Sequence, residues 1–261
     1  MQTTPTISLC SNPLPESHVA ALAEIEDGYW WLEGRTYWAQ QLITAALTLQ
    51  GRKSQDSTFL DLGCGTGGFA RQIAARLPFA KTVLADGDPK VLELASRFPG
   101  SLLHHIDLNS NFTLPVEASI ITCMDVIEHL PHDEAFLKQL AQQMPNQGSL
   151  IVSVPAYPSF YTEWDRQLGH FRRYTPSHLR SVLENAGLQI QFLSPMWSFL
   201  TPAVPIRKMK AARYRESMEF EKVPGFINSL LVQLSKLEWA AARLFRMPVG
   251  TSLIAWVTKN G

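Results

Sequence analysis

The 261-residue sequence predicts an α/β fold, in which a doubly wound, seven-stranded sheet is covered by helices on both faces. Two observations predict it. Short apolar runs alternate with amphipathic helical stretches through the middle of the chain, which is typical of strands joined by helical crossovers. In addition, 46% of the residues are hydrophobic and 18% are charged, with a formal net charge of zero. Such a chain can bury a full core, and it is not a disordered, collagen-like or coiled-coil sequence.

The helices follow from hydrophobic periodicity. A first helix is predicted over residues 16–26 and a second over residues 35–49, where Leu42, Ile43 and Ala46 recur on one face. Further helices are predicted over residues 69–77, 89–97, 133–144 and 175–186. Most of them separate two strand-like runs, so the chain is expected to alternate between strand and helix.

The strands are short runs of apolar residues. They are predicted over residues 58–62, 82–85, 102–106, 118–124, 148–154, 188–193 and 251–258. Because two parallel strands need a long crossover between them, strands separated by helices imply a parallel sheet.

We expect four segments along the chain. They are an N-terminal helical cap (residues 1–57), the ligand-binding core (residues 58–193), a helical lid insertion (residues 194–250) and the last strand of the core (residues 251–261). The insertion is too long for an ordinary loop. It contains a predicted helix over residues 226–245 that places six apolar residues on one face: Ile227, Leu230, Leu231, Leu234, Leu237 and Leu244.

Composition limits the compartment and the partners. Cys10, Cys64 and Cys123 are widely spaced and odd in number, which fits neither a disulfide framework nor a zinc motif. Residues 1–15 lack the features of a signal peptide, and no stretch reaches the roughly 18 to 20 apolar residues of a spanning helix. The balanced charge argues against bulk binding to nucleic acid. We therefore expect a cytoplasmic protein that does not bind nucleic acid.

The strongest signal is a glycine-rich turn directly after the first strand, Asp61-Leu-Gly63-Cys-Gly65-Thr-Gly67. In open parallel sheets, ligands bind at this end of the strands, and glycines let a ligand approach the backbone. Gly63, Gly65 and Gly68 also satisfy the dinucleotide pattern G-x-G-x-x-G. A nicotinamide-dependent oxidoreductase is therefore the alternative.

Three carboxylates follow the ends of successive predicted strands. Asp61 precedes the first glycine, Asp86 comes 19 residues after Gly67, and Asp107 comes 21 residues after Asp86. A bound pyrophosphate would be repelled by Asp61, whereas a cationic amino acid would be attracted by it. The three acids therefore favour a neutral or cationic nucleoside over a dinucleotide.

These residues resemble the class I S-adenosylmethionine-dependent methyltransferases, which have a Rossmann-like fold. The resemblance covers about residues 58–193 and includes the glycine loop, the acids after the strands and the run Gly148-Ser-Leu-Ile-Val-Ser-Val-Pro155. It implies that S-adenosylmethionine is the cofactor. The loop with Asp61, Gly63, Gly65 and Gly67 would hold its methionine part.

The resemblance also assigns the nucleoside. Asp86 would bind the ribose, and Asp107 with Leu108 would contact the adenine. The sequence Asp86-Gly-Asp88-Pro leaves open which of the two acids takes the ribose, and we favour Asp86 because it comes first after the strand.

A second group of candidate residues follows the fourth strand, in Asp125-Val-Ile-Glu128-His129. Its spacing is similar to that in ubiquinone-biosynthesis O-methyltransferases and small-RNA 2′-O-methyltransferases, whose corresponding residues hold a divalent ion. His170, which precedes Tyr174-Thr175, stands where the RNA enzymes have a further histidine.

The sequence departs from those families at Asp125, where they have a longer Glu. We therefore expect no metal, and Asp125, Glu128, His129 and His170 are the candidate ligands if a divalent cation does bind. Glu128 would otherwise cap the following helix. As catalytic residues we favour His129, His170 and Asp125, which would handle the proton of the acceptor.

Residues 155–174 are dense in aromatic and ionisable groups and are predicted to form the wall that faces the acceptor. In this segment Arg172 or Arg173 would bind an acidic group of the acceptor; the alternative is that both are solvated.

The segment 205–215 carries five bases and no acid beside an apolar stretch. We expect peripheral membrane contact through residues 196–215 as an alternative to an ordinary solvated helix. If that contact exists, the small-molecule acceptor is lipophilic. The sequence thus predicts an O-methyltransferase of a small acceptor. The alternatives are the nicotinamide enzyme and a non-catalytic, nucleoside-binding partner subunit.

Overall fold

The computed structural model describes residues 16–206 and 223–259. A seven-stranded sheet lies at its centre, with the strand order β3-β2-β1-β4-β5-β7-β6. The strands are β1 (Thr58–Leu62), β2 (Lys81–Asp86), β3 (Ser101–His105), β4 (Ile120–Met124), β5 (Ser149–Pro155), β6 (Leu188–Met196) and β7 (Ser252–Lys259). The predicted seven-stranded, doubly wound sheet is confirmed.

Eight helices of the described residues surround this sheet. They are α1 (Glu16–Ile25), α2 (Trp30–Leu49), α3 (Gly68–Arg76), α4 (Pro89–Ala95), α5 (Asp133–Gln143), α6 (Glu163–Gln167), α7 (Pro176–Asn185) and α8 (Gly225–Ala242). Helix α2 begins at Trp30 and not at the predicted Arg35, because Trp30 and Trp31 pack against Trp197 and extend the helix.

The strands from β1 to β5 are parallel, as predicted for strands joined by helices, and β7 is the exception. This strand lies between β5 and β6 and is antiparallel to both. After α8 the chain re-enters the sheet beside the end of β6, where Thr251 N donates to Met196 O at 2.9 Å. Entering at this end makes β7 run antiparallel to β6. β6 extends to Met196, so residues 194–196 belong to the sheet and not to the predicted insertion.

Two hydrophobic cores lie on the two faces of the sheet. Helices α2, α3, α4 and α8 contribute to one core, in which Trp38 and Phe59 are completely buried. Helices α5 and α7 contribute to the other core. Every residue of β4 and β5 is buried, as expected for central strands that are covered on both faces.

Helix α8 packs against α2 and β6, at one edge of the sheet. Trp38 Nε1 donates to Ser235 O at 2.9 Å, and Trp38 and Trp239 meet edge to face with ring centroids 5.1 Å apart. The six apolar residues predicted on one face of this helix do not share a buried face. Leu230, Leu237 and Leu244 are exposed, because Ser235, Glu238 and Trp239 occupy the buried positions.

Within the described residues, no helix combines the length and the apolarity needed to cross a bilayer. Of the segment expected to touch a membrane, residues 207–215 lie outside the described residues. Cys64 and Cys123 are buried free thiols, and Cys10 lies outside the described residues.

Candidate active site

The glycine loop links β1 to α3 at the carboxyl edge of the sheet. Gly63 N and Cys64 N both donate to Ala85 O, at 2.8 and 3.1 Å, so the loop is bonded to the end of β2. Gly63 has φ +70°, and a Cβ at this position would lie 2.5 Å from Val126 Cγ2. The bend therefore requires glycine for its backbone conformation and for the close approach of the next strand end.

Asp86, at the end of β2, lies against this loop. Its Oδ2 accepts a hydrogen bond from Gly65 N at 3.0 Å, and its Oδ1 accepts one from Asp88 N at 3.0 Å. Asp88 instead caps α4, since its Oδ1 accepts from Lys90 N at 2.9 Å. Of the two acids that the sequence left open, Asp86 is the one beside the glycines.

Asp61 is a buried carboxylate on the next strand. It is 2% exposed, and its Oδ1 accepts a hydrogen bond from Thr122 Oγ1 at 2.6 Å. Burial raises the pKa of Asp61 to about 7, against which the hydrogen bond from Thr122 and the charge of Arg35 act. Burial also raises the pKa of Asp86. Both acids thus lie in a poorly solvated crevice, where a cationic ligand would favour their ionised forms.

Asp107 follows β3, the outer strand next to β2. Its Oδ1 accepts from Asn109 N at 2.9 Å, and the neighbouring Leu108 is buried. The structure thus places the three predicted acids at the ends of β1, β2 and β3, which are adjacent in the sheet.

The N-terminal helices cover the glycine loop. Glu26 accepts a hydrogen bond from Thr66 Oγ1, and a Cβ at Gly68 would lie 2.4 Å from Glu26 Oε2. Asp27 forms an ion pair with Arg71 of α3. The predicted cap is therefore joined to the loop by carboxylates that the sequence did not single out.

Arg35 of α2 reaches the end of β4 and forms an ion pair with Asp125. The guanidinium is buried, lies 4.6 Å from the centroid of the Trp31 ring, and keeps an Nε–H without a hydrogen-bond partner among the described residues. Asp125 also accepts from Ser153 Oγ at 3.0 Å. Sequence reasoning missed the part that Arg35 plays here, because the two partners are 90 residues apart.

Three other predicted residues meet beside the end of β4. One carboxylate oxygen of Glu128 and one ring nitrogen each of His129 and His170 all lie within 4.8 Å of one another. The two imidazole rings meet edge to face with their centroids 4.6 Å apart. Phe171 N donates to Glu128 O at 2.8 Å and fastens the loop after β5 to this point. Asp125, the fourth candidate ligand, is not part of this group because Arg35 holds it.

Glu128 is completely buried, and neither of its carboxylate oxygens has a hydrogen-bond partner among the described residues. Burial raises its pKa well above the usual range, and the charge of Asp125 adds to this. The suggestion that Glu128 caps the following helix is wrong, since α5 has no such contact at its N-terminus. A buried, unpaired carboxylate beside two histidines is typical of a site that binds a proton or a cation.

His170 is held in place by Asp165, which the sequence did not single out. His170 Nδ1 lies 2.9 Å from Asp165 Oδ1. Burial alone would raise the pKa of Asp165, but the hydrogen bond to His170 and the ion pair with Arg173 lower it below its usual range. An ionised Asp165 fixes Nδ1 as the protonated nitrogen, so Nε2 of His170 is left to face the cluster.

Arg172 and Arg173, which were expected either to bind the acceptor or to be solvated, both form ion pairs within the chain. Arg173 contacts both oxygens of Asp165, at 2.7 and 3.0 Å, and Arg172 Nη1 pairs with Asp133 Oδ1 at 2.7 Å. Both guanidinium groups are used to brace the loop after β5.

Three of the four non-glycine residues with positive φ in the described part of the chain lie at this edge, and the fourth, Gln147, precedes β5. Asp125, Tyr157 and Trp197 are not glycines, yet they have φ values of +57°, +56° and +60°. Asp125 directly follows β4, Trp197 directly follows β6, and Tyr157 is the second residue after β5. Such conformations persist where the surrounding structure holds them, and they are common at functional sites.

The fold is that of an α/β protein with its predicted ligand-binding residues at the carboxyl edge of the sheet. A family model described as a methyltransferase domain matches residues 31–192. The chain belongs to the class I S-adenosylmethionine-dependent methyltransferases, whose methyl donor is S-adenosylmethionine. The nicotinamide-dependent oxidoreductase, which was one of the alternatives, is thereby set aside.

Two curated relatives are ubiquinone biosynthesis O-methyltransferases. The mitochondrial protein of Schizosaccharomyces pombe is 31% identical over 101 residues, which are 36% of this chain and 36% of that protein. The protein of Xanthomonas euvesicatoria is 25% identical over 181 residues, 60% of this chain and 70% of that protein. The chain thus spans about a third of the first of these relatives.

Solved structures share the fold at low identity. The plantazolicin methyltransferase BamL, in complex with a triazolic desmethylPZN analog and SAH, has a TM-score of 0.61 and 13% sequence identity. The alignment covers 95% of this chain and 92% of that one. The likeness confirms the Rossmann-like architecture and says nothing about the acceptor.

Proposed function

We propose that this methyltransferase acts on oxygen, moving the methyl group of S-adenosylmethionine to a hydroxyl of a small acceptor. The observation that carries the proposal is the cluster of Glu128, His129 and His170, oriented by Asp165, next to the strand ends that carry the cofactor acids. A hydroxyl must lose a proton on methylation, and this cluster is built to accept one. The names of the curated relatives support the same chemistry.

In the proposed complex, residues at the ends of β1, β2 and β3 would hold the cofactor. Asp86 accepts hydrogen bonds from the ribose, and Asp107 accepts one from the adenine amino group, with Leu108 packed on the ring. Asp61 faces the positively charged methionine part. The Nε–H of Arg35 has no hydrogen-bond partner among the described residues and would donate to the methionine carboxylate.

Proton transfer and methyl transfer then occur together. Asp165 holds the proton of His170 on Nδ1, and Nε2 accepts the proton of the acceptor hydroxyl. The acceptor oxygen attacks the methyl carbon in line with the sulfur. The carbon–sulfur bond would break with its electron pair staying on sulfur, which would give S-adenosylhomocysteine and a methyl ether.

As an alternative to the role of His170 as a base, the same three side chains fit a divalent cation. Glu128 offers two buried oxygens that have no hydrogen-bond partner among the described residues. Asp165 hydrogen-bonds to His170, as carboxylates commonly do with histidines that ligate a metal. Glu128, His129 and His170 would hold the ion, while Asp125 would not take part. A bound cation would supply a lowered pKa of the acceptor hydroxyl.

The acceptor is proposed to be lipophilic. The loop after β5, which was predicted to face the acceptor, contains Tyr157, Phe160 and Tyr161. The ring centroids of Tyr157 and Phe160 lie 5.4 Å apart. Asp165 and Arg173 neutralise each other in this loop, so it offers no unpaired cation to an acidic acceptor.

The experiment is a transfer assay with S-adenosylmethionine labelled in the methyl group. The chain is incubated with a panel of phenols, alcohols, amines and carboxylic acids in water and in detergent. The proposal expects alkali-stable ethers from hydroxyl acceptors and a higher rate for the more apolar members. Methylation of amines alone, or transfer unchanged by His170→Ala, would contradict it.

A further inference from the structure

Large apolar side chains stand exposed along one line of α8 and the turn after it. Phe226 is 76% exposed, Leu230 is 55% exposed and Leu237 is 67% exposed. Leu244 and Phe245, which follow the helix, are 77% and 70% exposed. Because Phe226, Leu230 and Leu237 are spaced by four and seven, they fall on one helical face about 16 Å long, and the turn after the helix adds Leu244 and Phe245 at its C-terminal end.

The charges around this outward face are one-sided. Arg243 and Arg246 are exposed beside its C-terminal end. Glu238 is the one acidic residue of α8, and it points inward. Its carboxylate is buried and accepts hydrogen bonds from Trp197 N at 2.6 Å and from Ser198 N. The outward face of the helix therefore combines apolar side chains with positive charge and carries no carboxylate.

We propose that α8 docks the protein on the surface of an anionic lipid bilayer. The five apolar side chains would enter the boundary between headgroups and acyl chains, and Arg243 and Arg246 would contact lipid phosphates. The docking element is thus α8, whereas the sequence pointed to residues 196–215. The proposal goes beyond O-methylation and would hold for any acceptor atom.

A second copy of the chain fits this face less well. Five side chains of this kind bury on the order of 100 Å² each, or about 500 Å² per protomer. A stable interface between proteins buries about 800 Å² per partner. In addition, Arg243 and Arg246 would find no carboxylate on the same face of a second copy.

Sedimentation of the full chain with vesicles tests the proposal. The vesicles are made of phosphatidylcholine alone or of phosphatidylcholine with phosphatidylglycerol. The wild type is expected to bind the mixed vesicles and to bind the neutral ones at least tenfold less. Leu237→Glu combined with Leu244→Glu is expected to lower binding to the mixed vesicles at least tenfold, and Arg243→Gln with Arg246→Gln severalfold.

The matched control is Leu102→Glu, which changes a leucine that is 52% exposed on β3, at the opposite edge of the sheet from α8. It should bind vesicles like the wild type. All variants should bind S-adenosylhomocysteine with wild-type affinity, which shows that they are folded. The vesicle samples contain neither cofactor nor acceptor. The experiment therefore measures docking independently of O-methylation.

Three results would overturn the inference. The first is the absence of binding to mixed vesicles, and the second is equal binding by the wild type and the Leu237/Leu244 double variant. The third is a dimer, found by light scattering, that the double variant dissociates, since this would show that the face pairs two copies.

Discussion

Replacing Asp61 with Asn should stabilise the protein without cofactor and weaken its binding of S-adenosylmethionine. Asp61 is buried at the end of β1 and accepts a hydrogen bond from Thr122 Oγ1, which an amide oxygen can also accept. Its ionised form is disfavoured in the folded state, because burial removes the carboxylate from water. A neutral amide of the same shape avoids that penalty but offers no charge to the cofactor.

The magnitude follows from the pKa. The pKa of Asp61 rises from 3.8 to about 7 on folding. Each pKa unit of this difference corresponds to about 1.4 kcal/mol. Above pH 7, where Asp61 is ionised, it therefore lowers the free energy of unfolding by about 4 kcal/mol. The folded state binds more protons than the unfolded state between these two pKa values. Stability is therefore lost as the pH rises from about 4 to about 7, and the whole loss is present above pH 7.

Urea unfolding at pH 5 and pH 8 measures this effect. Asp61→Asn is expected to raise the free energy of unfolding by a few kcal/mol at pH 8 and by much less at pH 5. The control is Asp56→Asn, an exposed residue just before β1, which should change neither value. Wild-type affinity for S-adenosylmethionine should rise severalfold from pH 6 to pH 8, and that rise should disappear in Asp61→Asn. A variant less stable than the wild type at pH 8 would refute the reasoning.

Three further predictions concern the other residues of the site. Asp86→Ala should weaken S-adenosylhomocysteine binding about 10- to 100-fold in calorimetry through lost hydrogen bonds, whereas Asp88→Ala should lower stability by about 1 kcal/mol as a lost helix cap; equal affinities would argue against the ribose assignment. His170→Ala should lower kcat by about 10²- to 10⁴-fold while S-adenosylhomocysteine affinity stays unchanged; a matching loss of affinity would point to a structural role instead. Millimolar Mg²⁺ should raise the melting temperature of the wild type but not of Glu128→Gln; unchanged melting of both would mean that His170 works without a cation.

Local sequence patterns predicted those helices and strands whose bounds are set by residues within the element itself. β1 has the predicted bounds, Thr58–Leu62, because a short apolar run closed by a glycine turn leaves few alternatives. Helix α5 begins at the predicted residue for a similar reason. The acids at the strand ends were also predictable, since the carboxyl ends of parallel strands meet at one edge.

Contacts between distant segments were not predictable in this way. The ion pair of Arg35 with Asp125 joins two elements whose separation in the sequence carries no signal. The same holds for the antiparallel direction of β7, because an isolated strand looks the same in either direction. The exposed leucines of α8 were assigned to a shared face on periodicity, but periodicity does not say which face a neighbour covers.

The amino-acid sequence by itself determined the order of strands and helices, the glycine bend and the acids that define the cofactor. These features depend on residues close together along the chain, and short-range sterics and hydrophobic periodicity are enough to produce them. Only the tertiary structure decided that Asp125 pairs with Arg35, that Glu128 meets His129 and His170 without a hydrogen-bond partner, and that Asp165 orients His170. Those arrangements depend on how separate elements pack, because burial and the absence of water set the charge and the partners of each group.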